Sequence, residues 1–166
     1  MNNNSITGQL GELLRSRGLL MGTAESCTGG RIANMITLVA GSSDYFVGGV
    51  VSYSNEVKQN VLGVSEESLR LHGAVSREVV EQMALGAIRT LGCDCSVATS
   101  GVAGPGGGTP EKPVGTVWIA AALKDRVVSH CYHFGTVRAE NIQSAADTAL
   151  TMLLELLLSD CGSPEQ

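Results

Sequence analysis

Tyr53 and Lys58 are the residues of this sequence whose types and spacing best suit proton-transfer chemistry. A phenol and an amine are both protonated at neutral pH, with reference pKa values near ~10 and ~10.4. A neighbouring ammonium lowers the pKa of a phenol, and burial lowers the pKa of an ammonium, so the two groups together can act as a base. The alternative is a core tyrosine beside a solvated lysine, and these two residues alone leave both interpretations open.

Both residues fall in the segment 50–58, which predicts a strand followed directly by a helix. The hydrophobic run that ends at Tyr53 predicts a buried strand, and Ser54 supplies a cap for a helix that begins near Glu56. Tyr53 is then expected at the carboxyl end of a strand and Lys58 in the first turn of the next helix. Ligands bind at this edge of open α/β sheets, so the segment marks a candidate active site.

Two turns rich in glycine and hydroxyl side chains follow two further predicted strands, over residues 19–24 and 95–99. Turns of this kind direct backbone N–H groups and hydroxyls towards one point, which favours a phosphate or a carboxylate. The first turn matches neither the P-loop nor the dinucleotide-binding fingerprint, and helix capping alone is its alternative interpretation. For the second turn, the alternative is a flexible linker. The candidate binding residues are Glu25, Ser26, Thr28, Gly29 and Gly30 in the first turn, and Ser100, Gly101 and Gly104 in the second.

Arg138 opens the last predicted helix, where its charge opposes the helix dipole. An arginine at such a position is better explained when an anion lies nearby, and an ordinary exposed side chain is the alternative. We therefore add Arg138 to the candidate residues that bind an anionic ligand.

Composition limits the class of protein. A length of 166 residues suits a single domain, 1–166, in which residues 159–166 are expected to form a frayed tail. A formal net charge of -5 without a Lys/Arg-rich run argues against nucleic acid as a partner. No apolar segment reaches the ~20 residues of a membrane span, and the amino terminus lacks a signal-peptide pattern, so we predict a cytoplasmic protein without membrane partners.

The 5 cysteines are an odd number, which fits reduced thiols better than a disulfide framework. Cys93 and Cys95 are too close together for the usual zinc ligands, and no histidine pair accompanies them. We therefore predict no metal site and no cofactor, and a redox or metal protein that uses these two thiols is the least favoured hypothesis.

Five ordered segments, 23–30, 41–43, 48–58, 72–76 and 101–118, resemble the carboxy-terminal domain of the CinA family. The resemblance extends over nearly the whole chain. It implies an α/β fold, namely a three-layer α/β/α sandwich with a mixed, mostly parallel sheet. Stand-alone members of this family are nicotinamide mononucleotide deamidases, so the resemblance also implies an amidohydrolase of pyridine nucleotide salvage, with a small-molecule nucleotide as its substrate.

By its motifs, the resemblance makes Ser43 the nucleophile, with Tyr53 and Lys58 as its activating pair. The residues themselves leave the choice between Ser43, Ser26 and Ser100 open, because Ser26 and Ser100 end neighbouring predicted strands and are easier partners for Tyr53. An extended chain would separate Ser43 from Tyr53 by about 30 Å. Either the chain bends between them, or a second subunit delivers one of the groups in a homodimer or a higher homo-oligomer.

The segment after Arg138 departs from the family pattern, in which a second arginine follows a few residues later. Here those residues are Ile142 and Gln143. The loss of one cation weakens the expected binding of a phosphate, and it motivates an alternative hypothesis, a non-catalytic module that binds nucleotide phosphates.

Overall fold

The structure, a computed structural model, describes residues 5–160, and a five-stranded sheet forms its centre. The strands are β1 (Met21–Glu25), β2 (Phe46–Val51), β3 (Cys95–Gly101), β4 (Thr116–Leu123) and β5 (Arg126–His133). The helices are α1 (Ile6–Arg17), α2 (Arg31–Thr37), α3 (Asn55–Asn60), α4 (Glu66–His72), α5 (Arg77–Leu91) and α6 (Arg138–Asp160). A short 3-10 helix, Ser42–Asp44, precedes β2.

The sheet is mixed, with the strand order β2-β1-β3-β4-β5. β1 lies between β2 and β3 and is parallel to both of them. β4 is antiparallel to β3 and to β5, so all strands except β4 point in one direction. The predicted hairpin at Lys124 and Asp125 joins β4 to β5. The prediction of a three-layer sandwich with a mixed, mostly parallel sheet is therefore confirmed.

Serine side chains begin four of the helices, as expected from their preference for the N-cap position. Ser5, Ser54, Ser65 and Ser76 each accept a hydrogen bond from the N–H three residues ahead, at 3.0 to 3.3 Å. Gly18 ends α1 with a φ of 63°, a conformation that favours glycine. These start and stop signals are local, and the sequence predicts them correctly.

Helices cover both faces of the sheet, and each face has its own apolar core. α1, α2 and α6 pack on one face, and α5 packs on the other face together with the segment that follows α3. The residues of β4 alternate between the two cores: Ile119 and Ala121 belong to the first, and Ala120 and Ala122 to the second. Burial on both faces explains why this strand is apolar at nearly every position.

Two predicted elements differ from the structure. β2 is an edge strand whose residues alternate between half-buried and exposed, and it ends at Val51, so Tyr53 lies beyond it rather than in a buried strand. At the other end of the chain, Ser159 and Asp160 belong to α6 instead of a frayed tail. The remaining residues of the predicted tail, 161–166, lie outside the described residues.

Candidate active site

The carboxyl ends of β2, β1 and β3 meet at one edge of the sheet, because these strands are parallel neighbours. β1 ends directly before Ser26, β3 ends with Ser100 and Gly101, and the chain that leaves β2 passes through Ser52 and Tyr53. The helix after β1 packs on one face of the sheet, and those after β2 pack on the other. This change of face opens a crevice at the carboxyl edge, where ligands bind in open α/β sheets.

Lys58 reaches from α3 to the end of β1, where its Nζ donates a hydrogen bond to Ser26 Oγ at 3.0 Å. Nζ also donates to the backbone oxygens of Ser52 at 2.7 Å and of Tyr53 at 3.3 Å. The side chain is 1% exposed, and it forms no ion pair with a carboxylate within residues 5–160. Burial lowers the pKa of Lys58, because an ammonium loses its hydration there. A neutral amine beside a serine hydroxyl is a base next to a nucleophile.

Two adjoining cavities open at this edge, and Cys27, Tyr53 and Arg138 line both of them. The inner cavity has a volume of about 270 Å³ and is also lined by Ser26, Asn55, Lys58, Ala74, Val75, Ser100, Gly101 and Ala103. The outer cavity has a volume of about 430 Å³ and is also lined by Thr28, Gly29, Gly30, Arg31, Asn34 and Ile142. The Ser26 and Lys58 pair thus faces the inner cavity, and the glycine turn after β1 faces the outer one.

Tyr53 contacts Lys58 through its backbone oxygen rather than through its phenol. Its side chain is 61% exposed, and its Oη accepts a hydrogen bond from Arg138 Nη2 at 3.2 Å. The expected pair of a phenol and an amine is therefore not formed. The hydroxyl that the amine contacts belongs to Ser26, because β1 lies beside β2 in the sheet.

Ser43 lies in the 3-10 helix before β2, at the amino end of this strand, whereas Lys58 lies near the carboxyl ends of β1 and β2. Tyr45, two residues after Ser43, lies beside the start of β1, because its backbone oxygen accepts a hydrogen bond from the N–H of Met21, the first residue of that strand. Ser26 lies at the other end of β1, directly after its last residue. The length of β2, roughly 16 Å at ~3.3 Å per residue, separates the two ends. Within one chain, the structure therefore does not bring Ser43 to Lys58, whose amine contacts the hydroxyl of Ser26 instead.

Ser100 and Gly101 end β3 in the wall of the inner cavity. Ser100 is buried, and its Oγ donates to the backbone oxygen of Ala74 at 2.8 Å, which leaves the oxygen lone pairs for a donor on a ligand. A Cβ at Gly101 would lie 2.6 Å from the backbone oxygen of Thr116, so the close approach of β4 requires glycine there. Both residues lie where the sequence predicts substrate contacts.

Glu25 has a different environment from the one expected for a substrate contact. Its carboxylate is fully buried and accepts from Thr28 Oγ1 at 2.7 Å, from the N–H of Ile32 at 2.9 Å and from the N–H of Ala33 at 3.1 Å. Thr28 is also within 2.8 Å of the hydroxyl of Thr99. Glu25 lines neither cavity, and its negative charge stabilises the amino end of α2 instead. The structure thus places the carboxylate of Glu25 in the turn, away from both cavities.

Arg138 lies at the boundary of the two cavities and is held in place by two hydrogen bonds. Its Nη1 donates to the backbone oxygen of Gly104 at 2.7 Å, and its Nη2 donates to the phenol of Tyr53. Gly104 has a φ of 87°, which favours glycine. The backbone oxygen of Gly104 therefore positions the Arg138 guanidinium, which is predicted to bind an anion.

Four lining residues with polar or thiol side chains are not among the residues predicted from the sequence. They are Cys27, Arg31, Asn34 and Asn55, which line one or both cavities. The only signal for the first three is their position in or directly after the turn that follows β1. Burial raises the pKa of Cys27 to about 11, so its thiol is neutral near pH 7 and a poor nucleophile. Cys27 thus lines the site without being its reactive group.

Other features of the described chain lie apart from this site. A cavity of about 680 Å³ lies beside α1 and Tyr45 and is lined by neither Ser26 nor Lys58. Burial raises the pKa of Cys93 to about 11 and of Cys95 to about 12, which makes both thiols unreactive near neutral pH. Within residues 5–160, no group of three or more metal-ligating side chains could hold an ion, and no helix is long and apolar enough to span a bilayer.

Comparison with known proteins identifies the family to which the chain is similar. The model of a family described as "CinA C-terminal domain" matches residues 3–157. The chain is 49% identical over 152 residues to a CinA-like protein of Chloroherpeton thalassium, which covers 89% of this chain and 36% of that protein. The chain therefore spans little more than a third of the length of this relative.

A second relative has a length similar to that of this chain. The nicotinamide-nucleotide amidohydrolase PncC of Enterobacter agglomerans is 46% identical over 156 residues, which are 93% of this chain and 95% of that protein. Among solved structures, a CinA superfamily protein of Klebsiella pneumoniae matches with a TM-score of 0.90 and 35% identity, over 96% of this chain and 99% of the other.

Proposed function

Because the chain belongs to the CinA C-terminal domain family, we propose that it is an amidohydrolase that converts nicotinamide mononucleotide and water into nicotinate mononucleotide and ammonia. The contact of 3.0 Å between the buried amine of Lys58 and the hydroxyl of Ser26, in the wall of a cavity, carries this proposal. The name of the amidohydrolase from Enterobacter agglomerans supports the choice of substrate.

The two cavities suit the two ends of this substrate. The inner cavity contains the nucleophile and the base, so it receives the nicotinamide ring with its carboxamide. The outer cavity has Arg138 at its boundary and the glycine turn in its wall, so it receives the ribose phosphate. Ser100 can accept a hydrogen bond from the amide N–H₂, since its own proton is already donated to Ala74.

The first half of the reaction transfers the acyl group to Ser26. Ser26 Oγ attacks the carboxamide carbon while its proton passes to the neutral amine of Lys58. The tetrahedral intermediate collapses when the C–N bond breaks, and the proton moves from Lys58 Nζ to the leaving nitrogen, which departs as ammonia. We assign the developing oxyanion to the N–H groups of Cys27 and Thr28, which lie in the turn directly after Ser26.

The second half of the reaction regenerates the enzyme. A water molecule enters the position that ammonia has left, and Lys58 accepts its proton as the oxygen attacks the acyl carbon. The ester bond to Ser26 breaks, its Oγ recovers the proton, and nicotinate mononucleotide leaves. One lysine thus acts as base and then as acid in each half, which requires an amine that is neutral at the start.

An assay of ammonia and nicotinate mononucleotide tests the proposal, with Ser26→Ala and Lys58→Ala as the site variants. We expect release of both products by the natural protein and none above background in either variant. Unchanged turnover in both variants would place the reaction elsewhere. Thermal stabilisation by the mononucleotide without any turnover would favour the alternative, a module that binds nucleotide phosphates.

A further inference from the structure

Two arginines line the outer cavity, and they come from different elements. Arg31 is the first residue of α2, and Arg138 is the first residue of α6. The lining of this cavity contains no aspartate and no glutamate. In a chain with a formal net charge of -5, two guanidinium groups around one cavity without an acidic neighbour in its wall favour an anionic occupant.

The two arginines differ in how they are held. Arg138 is positioned by its bonds to Gly104 and Tyr53. Arg31 is exposed, and its side chain forms no hydrogen bond, ion pair or ring contact within residues 5–160. Asn34 follows three residues later on the same side of α2 and lines the same cavity, where its amide offers a further donor.

The α6 wall of the outer cavity offers only one cation. Ile142, the next residue of α6 to line the cavity, is apolar. A phosphate monoester carries about -1.5 to -2 charges at pH 7, so Arg138 alone leaves part of this charge without a partner. Arg31 lies in the α2 wall of the same cavity and provides the second positive charge.

We propose that Arg31 is the second phosphate-binding cation of this enzyme and sets its preference for a nucleotide over the corresponding nucleoside. The inference rests on the proposed function and adds to it a specificity-determining residue. Arg31 binds the phosphate from α2 while Arg138 binds it from α6, and the cavity between them receives the charged end of the substrate.

Two substrates that differ only in the phosphate test this role: nicotinamide mononucleotide and nicotinamide riboside. For Arg31→Ala we expect kcat/KM on the mononucleotide to fall by about tenfold to a hundredfold, mainly through KM, as for the loss of one charged hydrogen bond. The kcat/KM on the riboside should stay unchanged. Arg31→Lys should recover part of the loss, and Arg70→Ala, at an exposed arginine of α4 that lines neither cavity, should have no effect.

An equal loss on both substrates, or no loss on either, would overturn the role of Arg31. A separate measurement covers the case in which the natural protein releases no ammonia at all, which contradicts the proposed function instead. Inorganic phosphate should then still raise the melting temperature of the natural protein and of Arg70→Ala more than that of Arg31→Ala. Equal shifts in all three proteins would reject the phosphate site at Arg31 independently of activity.

Discussion

Lys58 is buried beside Ser26, and among the described residues no carboxylate pairs with its amine. Loss of hydration disfavours the ammonium and is the largest effect on its pKa. The pKa of Lys58 therefore lies below its ordinary value of 10.5. The neutral amine is therefore available at a lower pH than in an exposed lysine.

A rise of activity with pH follows from this lowered pKa. The base must be neutral to accept a proton from Ser26, so kcat/KM should increase as the pH approaches the pKa of Lys58 and level off above it. The midpoint should lie below 10.5. Initial rates from about pH 6 to about pH 10 measure this limb, with Lys58→Met as the inactive control. A steady decrease of kcat/KM over this range would exclude a lysine base.

The two candidate serines predict opposite results for one pair of variants. Ser26→Ala removes the hydroxyl that Lys58 contacts, so kcat should fall by at least about a thousandfold. Ser43→Ala changes an exposed residue at the opposite edge of the sheet, and its kcat should stay within about twofold of the natural value. Steady-state kinetics on nicotinamide mononucleotide distinguish the two. The reverse pattern would make Ser43 the nucleophile, delivered by a second chain.

Among the helices and strands, the sequence predicts where an element begins and ends, but it does not predict the position of a strand in the sheet. Ser54 and the residues after it predict α3, because capping is decided by neighbours in sequence. The burial of β2 is not predictable in this way, since a run of Val50 and Val51 is equally apolar in a central and in an edge strand. The strand order, which places β2 at the edge, depends on contacts between residues far apart in the chain.

Glu25 shows how one element holds another in the site. Its carboxylate caps the turn between β1 and α2, and that turn carries Ser26 at one end and Arg31 at the other. A buried carboxylate with several donors is costly to replace, because each N–H loses its acceptor. We therefore infer a structural role for Glu25, whose predicted ligand contact rests on its position next to Ser26.

Glu25→Gln should therefore reduce stability more than it changes the chemistry. An amide has one acceptor oxygen where the carboxylate has two, so at least one N–H of α2 loses its partner. We expect a decrease in the free energy of unfolding of about 1–3 kcal/mol, measured by urea denaturation. Glu56→Gln, at a glutamate in the first turn of α3 that accepts none of these bonds, is the matched control. Equal stability of both variants would contradict the capping role.

For the whole molecule, the sequence predicts which residues lie at the site better than it predicts which of them contact one another. Ser26, Lys58, Ser100 and Arg138 are all found at the carboxyl edge, because each stands at the boundary of a predicted element. Ser26 and Lys58 stand 32 positions apart in the sequence, so their contact is not visible there; it exists only because β2 returns to lie beside β1. Pairing of this kind is a property of topology rather than of local sequence.

The proposed site with Ser26 as nucleophile lies within one chain, so we expect that catalysis does not depend on assembly. Lys58, Ser26, Ser100 and Arg138 line the same inner cavity of a single chain, so no partner has to supply a group. Specific activity should therefore stay constant when the protein is diluted from about 10 µM to about 10 nM, a range that dissociates micromolar complexes. Progress curves at each dilution, corrected for adsorption with a carrier protein, measure this.

A loss of specific activity on dilution would instead indicate a site shared between chains, and a mixing experiment identifies the shared group. If a second chain delivers Ser43, then Ser43→Ala and Lys58→Ala are each inactive, and their mixture recovers activity because mixed dimers contain one intact site. If the site lies within one chain, Ser43→Ala is active alone and the mixture shows only the average of the two. The geometry at Ser26 favours the second result, since the amine of Lys58 already has its hydroxyl partner in its own chain.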